Sequence, residues 1–233
     1  MSERPKQQAT ARRSIFGAAA GALAATGMAA SPALAQGSGG SDPLAQPTRE
    51  LVDRIIRDWP QTATQAARTM LDKYGPPAEA TPTRLIWFNN GPWKRTTVLK
   101  EEIDHDFPMP HKDVLEQVIN YEVAPDKMDE LAAYDGSVIV ERTRGEMSAR
   151  CDKEAANILA LNLAHDIVRG NKSVDEARRA YGEAMKAVMA GNPPEITQRL
   201  TFQPPQTAGF SDQPILETGS GSSKQQPNLQ QRR

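Results

Sequence analysis

Apolar positions recur at helical spacing twice near the start of the folded part. Leu51, Val52, Ile55, Ile56 and Trp59 follow Thr48, a capping residue type, and Pro60 stops the run. Ala66, Ala67, Met70, Leu71 and Tyr74 form the second stripe, with Thr62 and Gln65 spaced as a capping-box pair and Gly75-Pro76-Pro77 at its end. From Arg84 the period changes. Leu85 to Phe88 and Trp93 to Leu99 are β-branched and aromatic runs joined by Asn89-Asn90-Gly91-Pro92, and Asn-Gly is a strong hairpin signal. A period of two prevents Trp87 and Phe88 from both facing a core. Leu115 to Val123 suits a third strand, while Val114, Leu115, Val118 and Ile119 also suit a helical turn. Pro125 opens a short helix through Met128, Leu131 and Tyr134 to Asp135-Gly136.

The clearest strand pair comes next. Val138 to Thr143 and Glu146 to Cys151 flank Arg144-Gly145; a two-residue turn there pairs Arg142 with Met147, Val140 with Ala149 and Val138 with Cys151. Val138, Val140, Met147, Ala149 and Cys151 then share the core face, and Ile139, Glu141, Thr143, Glu146, Ser148 and Arg150 the other. A helix from Asp152 to Arg169 is apolar nearly all round, which predicts a central buried helix. Ser173 and Glu176 form a capping box for a last helix ending at Gly191. The expected fold is α+β: a mainly antiparallel sheet of four to five strands with helices packed on one face.

The flanks read differently. Arg4, Lys6, Arg12 and Arg13 face a single acid, Glu3; a mild Ala/Gly-rich apolar run follows from Ile15 to Ala30, and Ala33-Leu34-Ala35 offers a small-x-small cleavage site before Gln36. Arg12-Arg13-Ser14-Ile15-Phe16 resembles a twin-arginine export signal. That resemblance covers residues 1–35 and implies export to the periplasm by the twin-arginine machinery, removal of the leader by signal peptidase, and a cargo folded before it crosses. The apolar run falls short of the roughly 20 residues that span a bilayer, so no stable anchor is expected. Residues 36–47 form a linker, 48–191 a single domain and 192–233 a disordered Pro/Gln/Ser-rich tail, with Ile196 to Phe202 its one candidate edge strand. Over the Trp87 to Lys94 and Gly136 to His165 segments the domain resembles small uncharacterised exported proteobacterial proteins, a similarity that implies no activity.

Charge and cysteine content narrow the classes. The chain has 28 basic and 29 acidic residues; without the leader's four basic and one acidic residue, 24 remain against 28, a net of −4. That balance, with no clustered basic face, excludes a nucleic-acid footprint. Cys151 is the single cysteine, so the fold holds without an internal disulfide. The sequence contains no dinucleotide fingerprint, P-loop, nucleophile elbow or haem-attachment motif.

The densest polar cluster is Asp104-His105-Asp106 with His111 and Asp113, where His105, His111, Asp104 and Asp106 are candidate ligands for a divalent transition metal. No known ligand spacing supports it, and a Pro-stiffened surface loop explains the same residues. Cys151 falls on the core face and His165 on an apolar helix, so both are expected to be structural. Trp93 beside the turn, with Arg142, Arg144 and Arg150, is the candidate contact surface for a ligand or a periplasmic protein partner. The two readings carried forward are a non-catalytic binding or accessory module and a metal-binding protein or metal-dependent enzyme.

Overall fold

The computed structural model describes residues 46–207 together with Gly209, Asp212, Ile215 and Leu216. The export motif at Arg12 and Arg13, the Ala35/Gln36 junction and nearly all of the 36–47 linker lie outside the described residues. The elements run α1 (Arg49–Ile56), α2 (Gln61–Tyr74), β1 (Glu79–Thr81), β2 (Arg84–Asn90), β3 (Trp93–His105), β4 (His111–Asn120), α3 (Met128–Tyr134), β5 (Val138–Glu141), β6 (Glu146–Cys151), α4 (Glu154–Val168) and α5 (Val174–Met189). The fold is α+β, and its sheet has six antiparallel strands in the order β1-β2-β3-β4-β6-β5 rather than four or five. The additional edge strand, β1, is three residues long, too short to carry an alternating pattern. Val114, Leu115, Val118 and Ile119, which also suited a helical turn, lie in the inner strand β4, which starts at His111 and ends at Asn120.

Thr48 caps α1 through Leu51 N, as its position predicts. The start of α2 differs from the expected capping box. Pro60 stands at the N-cap, and the Glu102 carboxylate receives Thr62 N at 2.9 Å and Ala63 N at 3.3 Å. Glu102 reaches them because β3 bulges: four residues, Leu99 to Glu102, stand opposite Val114 alone. Ser173 and Glu176 do close a capping box on α5. Ser173→Ala is expected to cost about 1 kcal/mol, measured as a lower urea midpoint with an unchanged slope.

The second hairpin pairs Val138 with Ala149, Val140 with Met147 and Glu141 with Glu146. Its register is therefore two residues from the expected one, and its loop has four residues, 142–145. A two-residue turn of the usual type needs positive φ at both Arg144 and Gly145. Only Gly145 has it, at φ 60°, and its N–H closes on Arg142 O. The slip is even, so Val138, Val140, Met147, Ala149 and Cys151 keep the core face.

On that face Leu85, Val98, Leu115 and Cys151 form one transverse row, and Trp87, Thr96, Gln117, Ala149 and Val138 the next. Two apolar clusters cover it. Val52, Ile56, Met70 and Leu71 of α1 and α2 pack on Leu85, Trp87, Val98 and Leu115. Leu131 and Tyr134 of α3, the α4 residues Leu159, Leu161 and Leu163, and Tyr181 of α5 join Ile119, Val138 and Met147. Polar Thr96, Gln117 and Asn157, all fully buried, lie in the sheet and on α4 between these groups. On the opposite face Phe88 is 47% and Ile139 40% exposed.

The chain does not become a tail at Asn192. Residues 193–207 form a strap against α4, with a single 3-10 turn (Glu195–Thr197) where an edge strand was expected. Asn162 anchors it, donating to Ile196 O and Arg199 O, both at 2.9 Å, and accepting from Thr201 N at 2.8 Å and Thr201 Oγ1 at 3.1 Å. Phe202 stacks on His165 at 4.1 Å, and His165 Nδ1 lies 2.7 Å from Tyr121 Oη. Burial lowers the pKa of the half-buried His165.

Candidate functional site

A cleft of about 850 Å³ opens between the β2–β3 turn, the start of α4 and the strap. Its floor is Glu154, in the first turn of α4, with a side chain only 11% exposed. Glu154 Oε1 accepts from Trp93 Nε1 at 2.6 Å, Gln117 Nε2 at 3.1 Å and the Tyr74 hydroxyl; Lys73 Nζ pairs with Oε2. Burial alone raises the carboxyl pKa, but these donors outweigh it and hold the group below its ordinary value. Burial, then the Glu154 hydrogen bond, drive the Tyr74 hydroxyl far the other way. Asn157 Nδ2 in turn binds Gln117 Oε1 and Leu115 O. The turn itself is shaped for this floor, since Gly91 has φ +64° and a Cβ there would meet the Tyr74 hydroxyl at 3.1 Å.

The rim carries Lys94, which pairs with the buried Glu146 at 2.8 Å, and Arg199, which pairs with Glu195. Trp93 is 1% exposed and belongs to the floor, not to an open surface beside the turn. Its indole is drawn in by the Glu154 carboxylate, and Phe88 is the exposed aromatic of that hairpin. The three candidate arginines do not join it. Arg142 pairs with Asp212, Arg144 with Glu141 and, at 3.8 Å, with Glu146, and Arg150 stands opposite Glu116 with its Nε buried and without a hydrogen-bond partner.

The histidine cluster sits at the other end of β3 and β4. His105 and His111 are direct cross-strand partners, and their rings lie 4.9 Å apart. Asp113, two residues along β4, takes the same face by the strand period and is 2% exposed. Asp104 alternates to the opposite face, where its side chain is 84% exposed and pairs with Lys112; Asp106 is also exposed. Asp135 and Ser137, from the turn before β5, complete the cluster: Ser137 donates to Asp113 Oδ2, and Asp135 Oδ1 lies 3.6 Å from His105 Nε2. The Asp113 carboxylate, with Cys151 second, pushes the His111 pKa up to about 11. Burial raises the pKa of Asp135 and of Cys151, whose 6% exposed thiol lies on the core face of β6 and donates to Asp152 Oδ1 at 3.5 Å.

Among the described residues no helix is long and apolar enough to cross a membrane. No family model matches the chain, and neither does any curated protein or any solved structure.

Proposed function

We propose that this chain is an exported, non-catalytic binding protein of the periplasm, whose ligand enters the Glu154 cleft. The observation that carries the reading is the floor of that cleft. Glu154 Oε1 is saturated by three donors, whereas among the described residues Oε2 meets only Lys73, whose side chain is 52% exposed. An ammonium group from a ligand can replace Lys73 at Oε2 without breaking the buried bonds. Lys94 and Arg199 on the rim suit a carboxylate at the ligand's other end. A zwitterion, an amino acid or short peptide, fits both ends. A carboxylate held ionised by four donors also makes a better anchor than a proton donor. Export rests on the Arg12-Arg13 pattern, which supports passage through the twin-arginine machinery and cleavage before Gln36.

Thermal melts of the purified protein against a panel of amino acids and dipeptides test the cleft. A ligand at 100 times its Kd is expected to add about 2.7 kcal/mol. No stabilisation across the panel, with no molecule carried through native mass spectrometry, counts against the reading. Fractionation of cells making Arg12→Lys/Arg13→Lys tests the address. Unprocessed precursor in the cytosol is expected, and normal processing of that variant argues against the twin-arginine route.

A further inference from the structure

We propose that His105, His111 and Asp113 form a binding site for one divalent transition-metal ion, separate from the cleft. His111 is oriented by its outer nitrogen, since Nδ1 lies 2.9 Å from Met109 O. His105 Nε2 faces Asp135 Oδ1 at 3.6 Å, beyond hydrogen-bond distance, and its Nδ1 lies 3.3 Å from Ser137 Oγ. The carbonyl on His111 Nδ1 favours that tautomer and leaves Nε2 as the ligand, the arrangement that supports histidine at metal centres, while Asp135 stands beside His105 Nε2 as a nearby carboxylate. The inner nitrogens converge on one carboxylate: His111 Nε2 is 3.1 Å from Asp113 Oδ1 and His105 Nδ1 is 3.5 Å from Asp113 Oδ2.

One donor atom from each of the three residues lies within 4.8 Å of the others. Tetrahedral bonds of roughly 2.1 Å separate their ligand atoms by about 3.4 Å, so the site needs little movement to close on an ion. Asp113 Oδ1 is the second, independent sign. It is buried without a hydrogen-bond partner among the described residues and contacts His111 Nε2 at 3.1 Å as an ion pair. A buried carboxylate oxygen without a hydrogen bond can take a metal ion as its partner. Ser137 meanwhile holds Oδ2, which fixes the carboxylate plane.

Two imidazoles and a carboxylate suit Zn²⁺ and its neighbours rather than Ca²⁺ or Mg²⁺, which take oxygen ligands. The side chains of His105 and His111 are 17% and 13% exposed, enough to admit an ion from solvent. Asp104, adjacent to His105 in sequence, points to the other face and takes no part.

Titration of the full chain with Co²⁺ and Zn²⁺ tests the site through the visible d–d bands of bound Co²⁺ and through metal content after desalting. One ion per chain is expected, displaced from Co²⁺ by Zn²⁺. His111→Gln and Asp113→Asn are each expected to weaken binding at least 100-fold, Asp135→Asn by 10- to 100-fold, and Asp104→Asn not at all. Melting curves of each variant establish that it is folded, and the Asp104→Asn and Asp135→Asn variants keep the test decisive if a ligand variant does not fold. Absence of stoichiometric binding by the parent chain overturns the proposal, as does equal weakening by Asp104→Asn.

Discussion

Glu154→Ala is expected to lower the stability of the fold by about 3–5 kcal/mol, the cost of removing one partner from a buried charged network. The loss follows from what remains: the Trp93 indole and the Tyr74 hydroxyl lose their acceptor, the Gln117 amide keeps only its longer contacts with Thr96 Oγ1 and Met70 Sδ, and Lys73 loses its counter-ion. Urea unfolding measures it; a loss under 1 kcal/mol shows that the donors find other partners and that Glu154 does not organise the floor. The effect depends on pH in a fixed direction. A carboxyl whose folded pKa lies below its ordinary 4.5 stabilises the fold fully above that value, and the contribution fades as pH falls from there through the lower folded pKa. The stability gap between parent and Glu154→Ala is therefore expected to be largest at neutral pH and to narrow below pH about 4.5. A gap that widens on acidification contradicts the ionised, donor-held state.

Asn162→Ala comes second, at about 2–3 kcal/mol. One side chain makes four hydrogen bonds to residues 196–201, and its loss leaves two strap carbonyls and Thr201 N unmet. Release of the strap to water limits the cost, so the sharper readout is limited proteolysis, with faster cleavage between residues 193 and 207. Asn162→Asp is expected to fall in between or lower, since it keeps the bonds from Thr201 but turns a charge on the carbonyls of Ile196 and Arg199. Unchanged cleavage in both variants means that Phe202 stacking on His165 suffices to hold the strap.

Much of this fold is legible in local patterns. Thr48, the Ser173/Glu176 box, the Asn-Gly hairpin and the face of Cys151 all stand where residue type and period place them, because each is decided within a few residues. What escapes is decided at long range. The cap on α2 comes from Glu102, 40 residues away, through a bulge that no local pattern marks. Trp93 is pulled under the surface by a carboxylate 61 residues on. The strap has few aliphatic residues, yet a buried asparagine supplies the partners its backbone needs. The histidine cluster was half visible. Reading 104–113 as a loop hides the alternation that turns Asp104 outward, and counting by two from His111 leads to Asp113. Asp135 and Ser137 carry no sequence signal linking them to either histidine.

The even slip of the β5–β6 hairpin has a consequence for how this end of the molecule tolerates change. Two residues added to or removed from the 142–145 loop leave inside and outside as they were, whereas a single insertion that shifts one strand inverts it and carries Val138 and Val140 into water. Length variation at this corner is thus permitted in steps of two, and a lone extra residue has to be absorbed as a kink in the loop.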